Sequence, residues 1–161
     1  MYSITPLPRG AASDPILNLP DSQTAQQELT DIKSRIAQAN QQGLVLMIDQ
    51  RQLLTFHDIP SIPFVPDYEK KYMMDQAMSG NASYFHQYYQ DLANKKYSLI
   101  VTEVLRLRRD TGAFSDENND WVDWVSKPTL CLYQPLATYD DINVQLLVPR
   151  PDISACQKFL K

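Results

Sequence analysis

The sequence predicts an α/β fold built on a buried sheet, and two matched stretches predict it. Leu44-Val45-Leu46-Met47-Ile48 is an unbroken apolar run that ends on the carboxylate of Asp49. Ser98-Leu99-Ile100-Val101-Thr102-Glu103 is a second run of the same kind, again closed by a carboxylate. Each run follows a segment with helical periodicity. Short continuous apolar runs mark strands covered on both faces, as in the middle of a parallel sheet, and the preceding helices supply the cover.

The chain has 161 residues, enough for one domain with a sizeable core, and its 43% hydrophobic and 21% charged residues are ordinary for a globular protein. Fifteen basic side chains against 19 acidic ones leave a net charge of −4, which argues against nucleic acid as a partner, since duplex binding calls for a basic face. Four glycines and 11 prolines predict stiff loops. No apolar run approaches the ~18 residues that a membrane-spanning helix needs. Met1 to Pro8 lacks the charged start and apolar stretch of a signal peptide, so none is expected there. Cys131 and Cys156 are expected to be two buried or unpaired thiols; pairing in an oxidising compartment is the alternative.

Taken in order, residues 1–20 carry four prolines and no apolar period, and read as an extended lead-in ahead of a single α/β domain over 21–161. Asp21 and Ser22 are good caps for a helix whose stripe is Ala25, Leu29, Ile32, Ile36 and Ala39. Gly43 is expected to end it in the left-handed conformation. The first buried strand follows. Gln50 to Ile59 fits either a short helix or a strand. Pro60, Pro63 and Pro66 impose an extended crossing, after which Asp67 is expected to cap a helix starting at Tyr68 and running to Gly80.

Asn81 or Ser83 starts the next helix, with Phe85, Tyr88, Tyr89 and Leu92 on one face and Lys95 and Lys96 in its last turn, where cations suit the helix dipole. The second buried strand spans Tyr97 to Val104. Asp110 to Asp120 reads as a polar surface loop, and Trp121, Val122, Trp124 and Val125 as a short amphipathic helix. Pro128 is expected to open a third strand, Thr129 to Gln134, and Val144 to Val148 forms the fourth. The link between these two is too short for a helical crossover, so they are expected to be antiparallel. Ile153 to Lys161 suggests a last helical turn. The expected architecture is a three-layer, Rossmann-like sheet, mostly parallel, with an antiparallel edge pair.

Most chemical signatures are absent from the sequence. No glycine-rich phosphate loop follows either strand, no nucleophile elbow is present, and no cysteine pair has metal-ligand spacing. No metal and no cofactor are expected. The strand-end carboxylates Asp49 and Glu103 are the candidate catalytic pair, because ligands of open α/β sheets bind at the carboxyl ends of the strands. Arg51, His57 and Arg106 are the candidate binding residues. Two carboxylates and two arginines suit a polar ligand or acid–base work; a solvated rim of ion pairs is the plainer reading. His57 and His86, the two histidines, have no ligand-like neighbours in sequence and read as exposed or partly packed. The aromatic group Tyr68, Tyr72, Tyr84, Phe85, Tyr88 and Tyr89 has helical spacing that points to packing before ligand stacking. Asn81-Ala82-Ser83 has the glycosylation pattern but reads first as a helix cap.

The phrases IDQRQLLTF (Ile48 to Phe56), VPDYEKKYMMDQAM (Val65 to Met78), YFHQYYQDLANKKYSLIV (Tyr84 to Val101), ENNDWVDWV (Glu117 to Val125) and VQLLVPR (Val144 to Arg150) resemble the C-terminal soluble part of large bacterial polytopic membrane proteins. The membrane portion of those proteins is similar to glycosyltransferases that use lipid-linked sugars. The resemblance covers most of the chain from about Thr30 onward and includes no catalytic motif, since the essential acidic residues of such enzymes lie in membrane loops. It implies a non-catalytic accessory domain that positions a substrate or partner near the membrane. The implied partners are the parent's own transmembrane region and a polar glycan or lipid-linked sugar. The implied location is membrane-associated, with the extracytoplasmic side favoured. Two other readings stand beside it: a self-contained hydrolase-like enzyme using Asp49 and Glu103, and a protein-interaction module.

Overall fold

The computed structural model describes residues 22–59 and 62–161; the expected lead-in over 1–20 lies outside them. Among the described residues the order is α1 (Ser22–Gln42), β1 (Leu44–Met47), α2 (Gln50–Thr55), α3 (Lys70–Ser79), α4 (Ala82–Ala93), β2 (Tyr97–Thr102), α5 (Asp116–Trp121), a π-helical stretch (Val122–Ser126), α6 (Lys127–Leu132), β3 (Tyr133–Tyr139) and β4 (Val144–Pro149). Single 3-10 turns occupy Pro66–Tyr68 and Asp140–Ile142, and a longer one, Ser154–Phe159, forms the tail.

The four strands make one mixed sheet in the order β1-β2-β4-β3. β1 and β2 are parallel, while β2–β4 and β3–β4 are antiparallel. The antiparallel final pair is as expected. The mostly parallel sheet is not: one pairing of three is parallel. Nor does β1 lie in the middle of the sheet; among the described residues it is an edge strand. Its apolar run reports cover on both faces, and that does not require a neighbour on both sides. Val45, Leu46, Met47 and Ile48 are all buried, and only Leu44 at the start is exposed.

Alternation along the strands sends side chains into two separate apolar clusters. Val45, Met47, Leu99, Val101, Val144 and Leu146 join Ile32, Ile36 and Ala39 of α1, together with Phe56. Leu46, Ile48, Ile100 and Leu147 join Phe85, Tyr88 and Leu92 of α4, Met73 and Ala77 of α3, and Leu132 and Tyr133. Each fully buried large side chain contributes roughly 1.5–3 kcal/mol of transfer free energy. Tyr68, Phe85, Tyr88 and Tyr89 pack in the second cluster with Tyr84 against it, as their spacing predicts, while Tyr72 is exposed. Tyrosine hydroxyls find partners at the cluster's margin, where Tyr68 donates to Asp91 Oδ2 at 2.5 Å and Tyr89 to the Trp124 carbonyl at 2.6 Å, and in its interior, where Tyr88 shares a 2.8 Å bond with Thr129 Oγ1. Burial pushes the phenols of Tyr97 and Tyr133 up to about 12.

Several local expectations are corrected. Gly43 does not take a positive φ. Among the described glycines only Gly80 and Gly112 do. Gly43 is small for another reason: a Cβ there would sit 3.3 Å from Ser98 Cβ, where α1 turns into β1 against β2. The helix after the proline crossing begins at Lys70, capped by Glu69 rather than Asp67, because Pro66 starts a separate 3-10 turn. Asn81 caps α4, accepting from Tyr84 N at 3.2 Å. Gln50–Thr55 resolves as a helix.

The third strand does not open at Pro128, because helix runs without a gap from Asp116 to Leu132 and the strand starts at Tyr133. The expected loop therefore ends at Ser115, and Asp116 and Glu117 sit in the first helical turn, where carboxylates favour the dipole. Proline is tolerated inside this helix because the π-helical stretch precedes it and because the Trp124 carbonyl, which a proline four residues on leaves without its usual donor, accepts from Tyr89. Finally, Cys131 and Cys156 are not separate thiols. They form a disulfide, with Cα atoms 5.9 Å apart, that joins α6 to the tail.

Candidate functional site

β1 and β2 run side by side in the same direction, so their carboxyl ends bring Asp49 and Glu103 to one place. Asp49 is extended, with φ −96° and ψ 125°, and caps α2 by accepting from Arg51 N at 2.9 Å. That cap points the first turn of α2 back over the strand ends. The Arg51 guanidinium then reaches both acids: its Nη2 is 2.8 Å from Asp49 Oδ2 and 3.2 Å from Glu103 Oε2.

Two further groups complete the cluster. Lys70 at the start of α3 pairs through Nζ with Glu103 Oε1. Its position is fixed by its own backbone, since Lys70 N donates to the Ile48 carbonyl at 2.7 Å. Asn143, in the turn before β4, donates from Nδ2 to Glu103 Oε2 at 2.7 Å and accepts from Val104 N at 3.1 Å. Its φ of 54° is left-handed, a conformation that asparagine adopts more readily than most residues. Burial pushes the Asp49 carboxyl up, but its bonds to Arg51, side chain and backbone, outweigh that and hold it below the usual carboxylate range. The same pairing raises Arg51 further above its ordinary value.

The cluster separates two clefts. One, of about 470 Å³, is lined by Lys70, Met74, Glu103, Arg106, Phe114 and Trp121, among others. The other, of about 350 Å³, is lined by Leu29, Asp49, Arg51, Gln52, Thr55, Phe56, Glu103 and Ile142 to Val144. Glu103 and Asn143 border both. The strand-end acids and Arg51 are therefore brought together as the sequence suggests. Arg106 lines the first cleft but turns to Asp140, with Nη2 at 3.7 Å from its carboxylate. His57 stands apart from both clefts: it is exposed, and its Nδ1 lies 2.7 Å from the Leu54 carbonyl of its own turn.

The sequence reading missed Lys70, Asn143 and Gln52. Lys70 arrives from beyond the proline crossing and Asn143 from the last hairpin, so no local spacing links either to Glu103. Gln52, three residues after Asp49 and in a short segment that fits helix or strand, gave no signal.

Chemically the cluster is closed. Two carboxylates face two cations, and the Glu103 oxygens are already engaged by Lys70, Arg51 and Asn143. Both acids are thus held in ion pairs and hydrogen bonds with neighbouring side chains. No group of three or more metal-ligating side chains occurs among the described residues, and none of the described helices is long and apolar enough to cross a membrane. No protein-family model, curated protein or solved structure matches the chain.

Proposed function

We propose that the chain is a non-catalytic α/β domain of a membrane-bound protein, a glycosyltransferase by the resemblance of its sequence phrases, and that it positions a substrate or partner near the membrane. The observation that carries this reading is the closed charge cluster at the strand ends. Acid–base catalysis needs a group within hydrogen-bond reach of the substrate and free to exchange a proton. Here Asp49 and Glu103 spend that capacity on Arg51, Lys70 and Asn143. The same network counts against a hydrolase built on this pair.

The reading includes a three-layer, Rossmann-like framework, and the two apolar clusters on opposite sides of the sheet support it. It also places the domain on the extracytoplasmic side. The Cys131–Cys156 disulfide supports that placement, because such bonds persist in oxidising compartments.

The test mixes the chain with prenyl-phosphate sugars and acceptor glycans and follows sugar release and transfer. No turnover is expected. Sustained turnover that Glu103→Gln abolishes overturns the proposal. In cells, the full-length gene product is expected to fractionate with membranes and to resist thiol alkylation until it is reduced; a protein found wholly in the soluble fraction removes the membrane half of the reading.

A further inference from the structure

Gln52 is a buried side chain, 6% exposed, and neither its amide oxygen nor its amide nitrogen has a protein partner. A buried polar group left without a hydrogen bond costs roughly 1–3 kcal/mol. Ser126 Oγ and one oxygen of Glu28 share this state among the described residues, but neither lines the two strand-end clefts. Gln52 does: it belongs to the wall of the 350 Å³ cleft, between Arg51 and Thr55. The unspent hydrogen-bonding capacity therefore sits at the carboxyl ends of β1 and β2, where α/β sheets bind ligands.

We infer that this cleft binds a neutral saccharide, with the Gln52 amide bridging two hydroxyls on adjacent carbons; the inference rests on, and sharpens, the positioning role proposed above. Three features select that ligand class. First, the charges that line the cleft are already paired. Asp49 and Glu103 engage Arg51, and Glu103 also engages Lys70 from the neighbouring cleft, so no unpaired charge remains to capture a phosphate, a carboxylate or a cation. Second, the Gln52 amide presents a donor and an acceptor side by side, and each sugar hydroxyl both donates and accepts. Adjacent hydroxyls on a ring match that pair, whereas a purely accepting anion leaves the amide oxygen unmet. Third, the cleft combines polar side chains (Asp49, Gln52, Thr55 and Asn143) with aliphatic surface from Leu29, Ile142 and Val144. Its volume is at the low end of the roughly 300–1,000 Å³ typical of small-molecule sites, room for one or two sugar rings. Engaging the ligand requires the amide to turn toward the cleft. That rotation breaks no hydrogen bond, because the amide makes none.

The experiment is an NMR titration of the ¹⁵N-labelled chain, in which Gln52→Met identifies the Gln52 side-chain NH₂ signals by their loss. The probes are a set of methyl hexopyranosides, cis-1,2-cyclohexanediol, cyclohexanol and inorganic phosphate. At least one pyranoside is expected to shift the Gln52 NH₂ signals saturably in the millimolar range. The diol is expected to shift them weakly in the same direction, and cyclohexanol and phosphate not at all. Gln52→Met and Gln52→Glu should each weaken the pyranoside at least about tenfold, with the backbone spectrum showing that both variants remain folded. Absence of a saturable shift from every pyranoside, unchanged affinity in Gln52→Met, or a response to phosphate in place of sugar overturns the inference. None of those outcomes bears on the absence of turnover. Conversely, hydrolysis of a bound glycoside leaves the binding intact and defeats the non-catalytic reading alone.

Discussion

Reducing the Cys131–Cys156 bond tests how much it contributes to the stability of the fold. The two cysteines are 25 residues apart in sequence, and the bond ties the end of α6 to the tail, with Cys156 buried at 1% exposure in the α4-side cluster. In the chain-entropy account, cross-linking a loop of that length removes unfolded-state entropy worth about 3.5 kcal/mol at 25 °C. For a domain of this size each kcal/mol moves the melting temperature by roughly 2–4 °C, so a decrease of roughly 7–14 °C is expected. Reduction removes no side-chain volume, which separates this effect from the cavity that a cysteine-to-alanine change leaves. The assay is urea unfolding of the same preparation with and without reductant, followed by the fluorescence of Trp121 and Trp124. The m-values distinguish a change in stability from a change in the compactness of the unfolded state. A stability difference under about 1 kcal/mol, or two titratable thiols in protein prepared under oxidising conditions, refutes the reasoning.

Three other outcomes are expected. Because Asp49 is held below its ordinary value, its contribution to stability is present above the usual carboxylate pKa of 3.8 and is lost as pH falls below it; Asp49→Asn should flatten that acid limb of the urea midpoint, and an unchanged pH profile counts against the pairing with Arg51. Tyr88→Phe leaves the Thr129 hydroxyl buried without a partner and should cost about 1–2 kcal/mol, much of it recovered in the double variant with Thr129→Val; a strictly additive double variant rules the bond out as a coupled pair. Gly80→Ala should cost about 1 kcal/mol from backbone strain alone, since Gly80 has φ 66° and open space where a Cβ would go; a loss within the error of denaturant melts contradicts that geometry.

Burial was legible in the sequence wherever it leaves a period or an unbroken run. The α1 stripe of Ile32, Ile36 and Ala39, the two strands and the α4 face of Phe85, Tyr88, Tyr89 and Leu92 all stand where those patterns put them. Convergence of Asp49 and Glu103 was legible too, because parallel neighbours share the end at which their chains exit. What escaped depends on contacts between distant parts of the chain. An apolar run does not reveal whether a strand has one neighbour or two, so the edge position of β1 was hidden. Pro128 normally argues against helix, and what offsets the penalty is the π-helical stretch before it and the Tyr89 hydroxyl, which reaches the Trp124 carbonyl from 35 residues earlier in the chain. The disulfide depends on where the tail docks, and the helix dipole and loop composition around Ser115 gave no sharp boundary between loop and helix. Lys70 and Asn143 show the same limit at the site, since each reaches Glu103 from a segment whose local sequence serves another purpose.

The order of the sheet also bears on self-association. Unpaired strand margins are templates for pairing with a second chain. The two margins here are guarded by different means. β3 carries Pro135, which cannot donate to an incoming strand, and its register shifts between Pro135 and Ala137, bending the outer face. β1 relies on brevity: its four residues offer too short a ladder for a stable intermolecular sheet. Lengthening β1 or replacing Pro135 is therefore expected to open these margins to pairing with a second copy.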